Sequence, residues 1–290
     1  MAVRYGTTHG QADRDMEFDA YSPKEIAARV EGVGVAKARM ALLPLAMLGM
    51  MAGAFIGLGS MFYVLVISDP SLGFAAGRVL GGAVFSLGLL LVVVAGAELF
   101  TGNNLLAMAW AHGSISSTEV LRNWLVVGVA NFAGAAGLAA LVILSGHTDM
   151  NGGAIARAYL RIAEAKSSLP FWAAFFRGVL CNVLVCLAVW MTLAGHSVTD
   201  KAVAIVLPVA AFVAAGFEHS VANMYFLPMG MMLQAAAGGV VQAGGLWSNL
   251  VPVVLGNIVG GSVMVALVYH VVYRRGAAGP GAPESAGDKR

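Results

Sequence analysis

The sequence predicts an all-α membrane protein of six transmembrane helices in an inverted repeat, with the second and fifth helices interrupted. Three observations carry that expectation. Hydrophobic residues fill 59% of the 290 positions, charged residues only 11%, and the mean hydropathy is +0.81; soluble domains carry roughly a quarter charged residues. Six long apolar blocks follow one another, each near or above the roughly 20 residues that a spanning helix needs. Two of these blocks contain a polar motif led by glutamate, Glu98-Leu-Phe-Thr-Gly-Asn-Asn104 and Glu218-His-Ser-Val-Ala-Asn-Met224, and the copies stand 120 residues apart. A charge at mid-bilayer costs about 2.5–3.5 kcal/mol on insertion scales, so it needs partners and usually a purpose.

Residues 1–21 are polar and aperiodic, as expected of a disordered tail. Ser22-Pro23-Lys24-Glu25 has the form of a helix start, with Ser at the N-cap, Pro at the first position and Glu at the third. Residues 22–40 mix charge with Ile26, Ala27, Val30 and Val33, an amphipathic pattern suited to the cytoplasmic membrane surface. Mixed charges over residues 1–40 leave no cleavable leader pattern, so the first span is expected to direct insertion. The transmembrane channel domain, 41–273, holds apolar blocks at about 41–67, 79–111, 124–144, 171–194, 202–237 and 248–272. The second and fifth are too long for one crossing, and each reads as two half-helices around its polar motif. The segment 145–177 reads as a loop, and the Gly/Pro-rich 274–290 as a disordered cytoplasmic tail. Glycine runs such as Gly81-Gly82 and Gly260-Gly261 let membrane helices approach closely. Cys181 and Cys186, five residues apart in one span, point to different faces and are expected to be buried thiols, neither bridged nor metal-bound.

Six spans put both termini on one side. Placing that side in the cytoplasm gives it 12 basic residues against 5 outside, which the positive-inside rule favours for a multi-pass inner-membrane protein. The segment 145–177 then lies outside despite Arg157, Arg161, Lys166 and Arg177, and an anion pore has a use for a basic vestibule. Each half contains three spans, so the second half enters from the opposite face and the site falls on a pseudo-two-fold axis near the midplane. Asn131-Phe-Ala-Gly in span 3 echoes Asn257-Ile-Val-Gly in span 6.

Of six histidines only His219 stands deep in an apolar span. It follows a glutamate at a helix break, so a pore-lining role is expected. Desolvation favours its neutral form, and an arriving anion makes proton sharing accessible. Glu98 and Glu218 are expected to accept hydrogen bonds from backbone N–H groups freed at the breaks, with Asn103 and Asn223 as the accompanying polar groups. Thr101 offers a hydroxyl to substrate or to His219. Asn182 and Asn257 either donate to an anion or bond helix to helix. Phe85, Leu89, Phe100 and Phe212 near the breaks suit constrictions that exclude hydrated ions. A net charge of +2 with scattered basic residues gives no nucleic-acid surface. A Gly-x-Ser-x-Gly elbow, a His-Glu-x-x-His motif and a plausible carboxylate pair are all missing, which argues against an intramembrane enzyme. No metal or cofactor is expected.

Four stretches resemble motifs of the formate/nitrite transporter family: Glu98 to Asn104, Leu207 to Met224, Cys181 to Met191 and Gly256-Asn-Ile-Val-Gly-Gly261. The likeness runs from about Ser22 to Tyr273 and is strongest to the formate-channel branch. It implies an aquaporin-like six-helix protomer in a homopentamer, with one pore per protomer. The family's central histidine matches His219, its broken-loop threonine Thr101, and its chamber asparagines Asn182 and Asn257. Its constriction residues match Phe85, Leu89, Phe100, Val185 and Phe212. Its anion-attracting lysines match Lys166 outside and Lys37 on the cytoplasmic side. The implied activity is channel or proton-coupled transport of small monovalent weak-acid anions, formate first. Nitrite or hydrosulfide is the alternative on the same scaffold, and lactate is a further candidate.

Overall fold

The structure, a computed structural model, describes residues 20–239, 241 and 243–275. Residues 1–19 and 276–290, most of the two expected tails, lie outside the described residues. Within them the regular structure is entirely helical. Helix α1 (Pro23–Ala38) starts at Ser22, whose hydroxyl accepts the Glu25 N–H while the Glu25 carboxylate accepts the Ser22 N–H at 2.8 Å. Its apolar face is Ile26, Ala27, Val30, Gly34 and Ala38. That face is buried in protein, against neighbours including Met108, Ala109 and Val265, so α1 is part of the bundle and not a helix lying on lipid.

Among the described residues six helices are long and apolar enough to cross a membrane: Leu42–Ile67, Phe74–Gly96, Ser117–Leu144, Phe171–Thr192, Val198–Ala215 and Gly244–Tyr273. They contain α2 (Leu42–Ile67), α3 (Phe74–Leu90, continued by a π-helical turn to Gly96), α5 (Ser117–Leu144), α7 (Phe171–Thr192) and α8 (Val198–Ala215). The last runs from α10 (Gly244–Ile258) through a π-helical stretch into α11 (Val268–Tyr273). Two shorter segments complete the second and fifth blocks, α4 (Leu106–Ala111) after a 3-10 turn at Gly102–Leu105, and α9 (Ser220–Ala236). Capping boxes of Ser116 with Glu119 and of Ser197 with Asp200 start α5 and α8. The second, third and fifth apolar blocks read from sequence begin late because Arg78, Glu119, Arg122 and Lys201 sit inside helices: a charge near a helix end lowers hydropathy without ending the helix.

The segment expected to be a loop, 145–177, contains α6 (Met150–Ser167), which is a correction to the sequence reading. Its start is hidden because Asn151, Gly152 and Gly153 have left-handed backbone angles. Close packing rests on small residues where α2 meets α5 and α7 meets α10: a Cβ on Gly134 would collide with the Met50 carbonyl, and one on Gly256 with the Phe175 carbonyl. The perimeter is apolar, with Leu125, Val129, Leu141 and Val251 exposed.

Candidate functional site

Both polar motifs lie where the chain leaves helical geometry. Before each, a glycine adopts a left-handed conformation, Gly96 at φ 86° and Gly216 at φ 75°, which a side chain would strain. The extended residues that follow borrow partners from neighbouring helices. Glu98 N–H donates to the Leu48 carbonyl at 3.2 Å, and Glu218 N–H to the Arg177 carbonyl at 3.2 Å. The next half-helix begins on an asparagine in both places. Asn131 Oδ1 accepts Phe100 N–H at 2.9 Å, and Asn257 Oδ1 accepts Ser220 N–H at 2.9 Å. The amide nitrogens of the same side chains donate to carbonyls: Asn131 to Gly49 and Glu98, Asn257 to Gly178 and Glu218. Asn257 is thus committed to backbone, the second of the two roles that the sequence left open.

The glutamate side chains do not take backbone N–H groups as expected. Lys37 donates to Glu98 at 2.7 Å and to Asn103 Oδ1 at 3.1 Å, and Asn103 donates to Glu98 at 2.8 Å. Around the other motif Lys166 donates to both Glu218 oxygens, at 2.9 and 3.0 Å, and Asn223 donates to Glu218 at 2.7 Å. Asn123 and Asn249 close the two cages. Each accepts from its neighbouring asparagine and donates to the carbonyl of its lysine, Asn123 to Lys37 and Asn249 to Lys166. A buried carboxylate is tolerated because a cation and amide donors replace its water. The sequence reading missed Asn123 and Asn249, yet each stands eight residues before Asn131 and Asn257; that repeated spacing was the available signal.

His219 and Thr101 come together from the two breaks. His219 Nε2 lies 3.0 Å from Thr101 Oγ1, both residues buried. His219 also caps α9, its Nδ1 accepting Ala222 N–H at 3.1 Å. With Nδ1 used as an acceptor, Nε2 carries the hydrogen of the neutral ring and donates to Thr101, whose own hydroxyl hydrogen stays available. Asn182 lies beneath this pair but has no donor left, because its amide faces the carbonyls of Thr101 and Asn257 and Asn104 Oδ1 at 2.7–3.2 Å. Its buried Oδ1 has no partner among the described residues, so Asn182 presents an acceptor while its amide nitrogen joins neighbouring segments, the second of the two roles that the sequence left open. Both cysteines are free and buried, and Cys186 Sγ donates to the Thr101 carbonyl at 3.4 Å. Among the described residues no three or more His, Cys, Asp or Glu side chains gather as a metal site.

Two cavities approach the pair from opposite ends of the bundle. The α1-side cavity, about 490 Å³, is lined by Lys37, Glu98, Leu89, Leu99 and Gly102 among others. The α6-side cavity, about 220 Å³, reaches His219 itself past Phe85 and Phe212. Phe212 stacks on the His219 ring at 5.9 Å and meets Phe85 edge-on at 5.8 Å. Phe100 instead packs against Trp124, at 6.5 Å, while Leu99 takes the cavity wall. Val185 is buried in the core.

Known proteins share this arrangement. Residues 24–271 match the family model described as formate/nitrite transporter. The formate channel FocA of Escherichia coli K12 is 39% identical over 277 residues, covering 90% of this chain and 97% of its own. FocA of Haemophilus influenzae is 38% identical, covering 86% and 93%. Among solved structures, a pentameric formate channel with formate bound superposes with a TM-score of 0.73 at 38% identity, covering 80% of this chain and 97% of that one. An FNT family ion channel gives a TM-score of 0.76 at 30% identity, covering 86% and 98%. With six spanning helices and relatives that are channels and not enzymes, this multi-pass membrane chain belongs to the formate/nitrite transporter family.

Proposed function

We propose that the chain is a channel or proton-coupled carrier for small monovalent weak-acid anions, with formate first and nitrite or hydrosulfide as the alternatives on the same scaffold. The observation that carries this reading is the buried Thr101–His219 bond between two cavities with apolar throats. Leu89 on one side, and Phe85 with Phe212 on the other, form constrictions that a hydrated ion does not pass. A small weak-acid anion differs from chloride or sulfate in that it shares a proton or accepts a strong hydrogen bond at the centre of the barrier. The donor there is built in series: Ala222 N–H to Nδ1, Nε2–H to Thr101, and the Thr101 hydroxyl to the anion. Each bond polarises the next. The names of the similar channels favour formate.

The paired glycines, asparagines and lysine–glutamate cages support an aquaporin-like inverted repeat with two interrupted spans, its halves contributing Thr101 and His219. The pentameric relative supports a homopentamer with a pore in each protomer, and the basic-residue balance supports cytoplasmic termini in the inner membrane.

Thr101→Val and His219→Phe test the pair in purified, reconstituted protein. Hydrogen bonds to charged groups are worth ~1.5–3 kcal/mol, so each variant should assemble normally and lose about tenfold or more in formate flux. His219→Phe should also alter the pH dependence of the remaining flux. Wild-type rates and pH profile in both variants would remove the pair from the pathway.

A further inference from the structure

Resting on the reading of this chain as an anion pore, we propose that the α6-side cavity is the anion-capturing mouth and that Arg177 supplies the capturing charge. The two mouths differ in charge although their cages match. The α1-side cavity is lined by one cation and one carboxylate, Lys37 and Glu98, joined at 2.7 Å. The α6-side cavity is lined by three cations, Arg78, Lys166 and Arg177, and one carboxylate, Glu218.

These three cations are not equivalent. Lys166 is bound to Glu218 at 2.9 Å, so together they present a dipole whose field fades faster than that of a charge. Arg78 donates to the Val213 and Ala214 carbonyls at 3.0 Å each and to the Tyr63 hydroxyl at 3.2 Å. Those carbonyls end α8, where the helix carries a partial negative charge of roughly half an electron, which offsets much of the guanidinium. Arg177 has neither form of compensation. Its backbone carbonyl accepts Glu218 N–H at 3.2 Å, which fixes its position beside the second break. Its side chain is exposed and makes no hydrogen bond or ion pair among the described residues. The wall of this mouth therefore carries a positive charge that no carboxylate among the described residues offsets. Low-dielectric walls focus the field of such a charge into the cavity and raise the local anion concentration. The family resemblance placed this role on Lys166 and Lys37, whose bonds to glutamates only the structure shows.

Arg177 follows Phe171, Trp172, Phe175 and Phe176, the exposed or half-exposed aromatic start of α7. A guanidinium there has a second use, anchoring the helix at the lipid headgroups, and the test separates the two. The full-length protein is reconstituted in liposomes of zwitterionic, net-neutral phosphatidylcholine, and initial formate uptake is measured from about 10 mM to about 0.5 M salt. One unit charge at ~4–10 Å in water changes local concentration about two- to sixfold. Arg177→Gln should therefore lower the low-salt rate by about that factor, Arg177→Glu by more, and Arg177→Lys little, with all differences closing at high salt. Membrane vesicles of the two orientations should show the steeper salt dependence when the α6 face is outside. Equal rates for wild type and R177Q at low salt, or a deficit that salt leaves unchanged, would overturn the inference while leaving the anion-pore reading standing. Absence of formate flux in the wild type would overturn that reading and this inference with it.

Discussion

The buried lysine–glutamate pairs set the terms at the level of single residues. The Glu218 side chain is 5% exposed and that of Lys166 16%, so neither is stable there as a lone charge. Removing one partner of such a pair costs about 3–5 kcal/mol, whereas replacing both with neutral groups is often close to neutral. Lys166→Met should therefore lower the melting temperature in detergent sharply. The double variant Lys166→Met with Glu218→Gln should recover most of it, because glutamine still accepts from Asn223. A double variant as unstable as the single one would mean that Lys166 acts through packing over Phe226, which its amine overlies at 5.7 Å. The same reasoning explains why these lysines were legible only through family resemblance: nothing in the spacing of Lys37 and Lys166 marks them as partners of Glu98 and Glu218. The glutamates, His219 and Thr101 stood out because polar residues inside apolar blocks demand a reason.

At the scale of elements, the breaks hold their shape because helices on either side supply the missing partners. Asn131 and Asn257 do for the half-helices what a capping side chain does in water, and α2 and α7 lend carbonyls from Leu48 and Arg177. This needs helices in near contact, which glycine permits. Gly134→Ala should separate α5 from α2 at Met50 and lower thermal stability and assembly yield. Gly137→Ala, one turn away with nothing within 4 Å of its new Cβ, should change neither, as melting and size-exclusion profiles would show. Equal tolerance at both sites would contradict the packing account. The six apolar blocks were readable from hydropathy, but the starts of the second and third were not, because Arg78 and Glu119 lie within helices. Helix α6 was missed for a different reason. Its first residues, Asn151-Gly152-Gly153, look like a turn, and its charges break the apolar pattern, although Ile155, Ala158, Tyr159 and Ala163 form a buried face at helical spacing.

Over the whole molecule, the two ends of the bundle use the same parts for different purposes. A helix carrying a lysine covers each break, α1 through Lys37 and α6 through Lys166. The α1 end is tied further by Glu31, which accepts from Arg274 at 2.7 Å and from Ser114 at 3.0 Å and so joins α1 to the end of α11. Where the two breaks meet, the halves contribute unlike residues, a threonine and a histidine, and that asymmetry gives the centre its donor. The pairing of the breaks was only half visible beforehand, since the echo of Asn131 in Asn257 was readable but its bonds were not. In the function proposed above, this donor passes small weak-acid anions between apolar constrictions. Stopped-flow uptake by the purified protein in liposomes, comparing formate with lactate, chloride and sulfate, tests it most directly. Rapid formate flux is expected, with slower or no lactate flux past Leu89 and Phe212 and none of chloride or sulfate; formate flux no greater than in protein-free liposomes, or equal passage of chloride, would rule this function out.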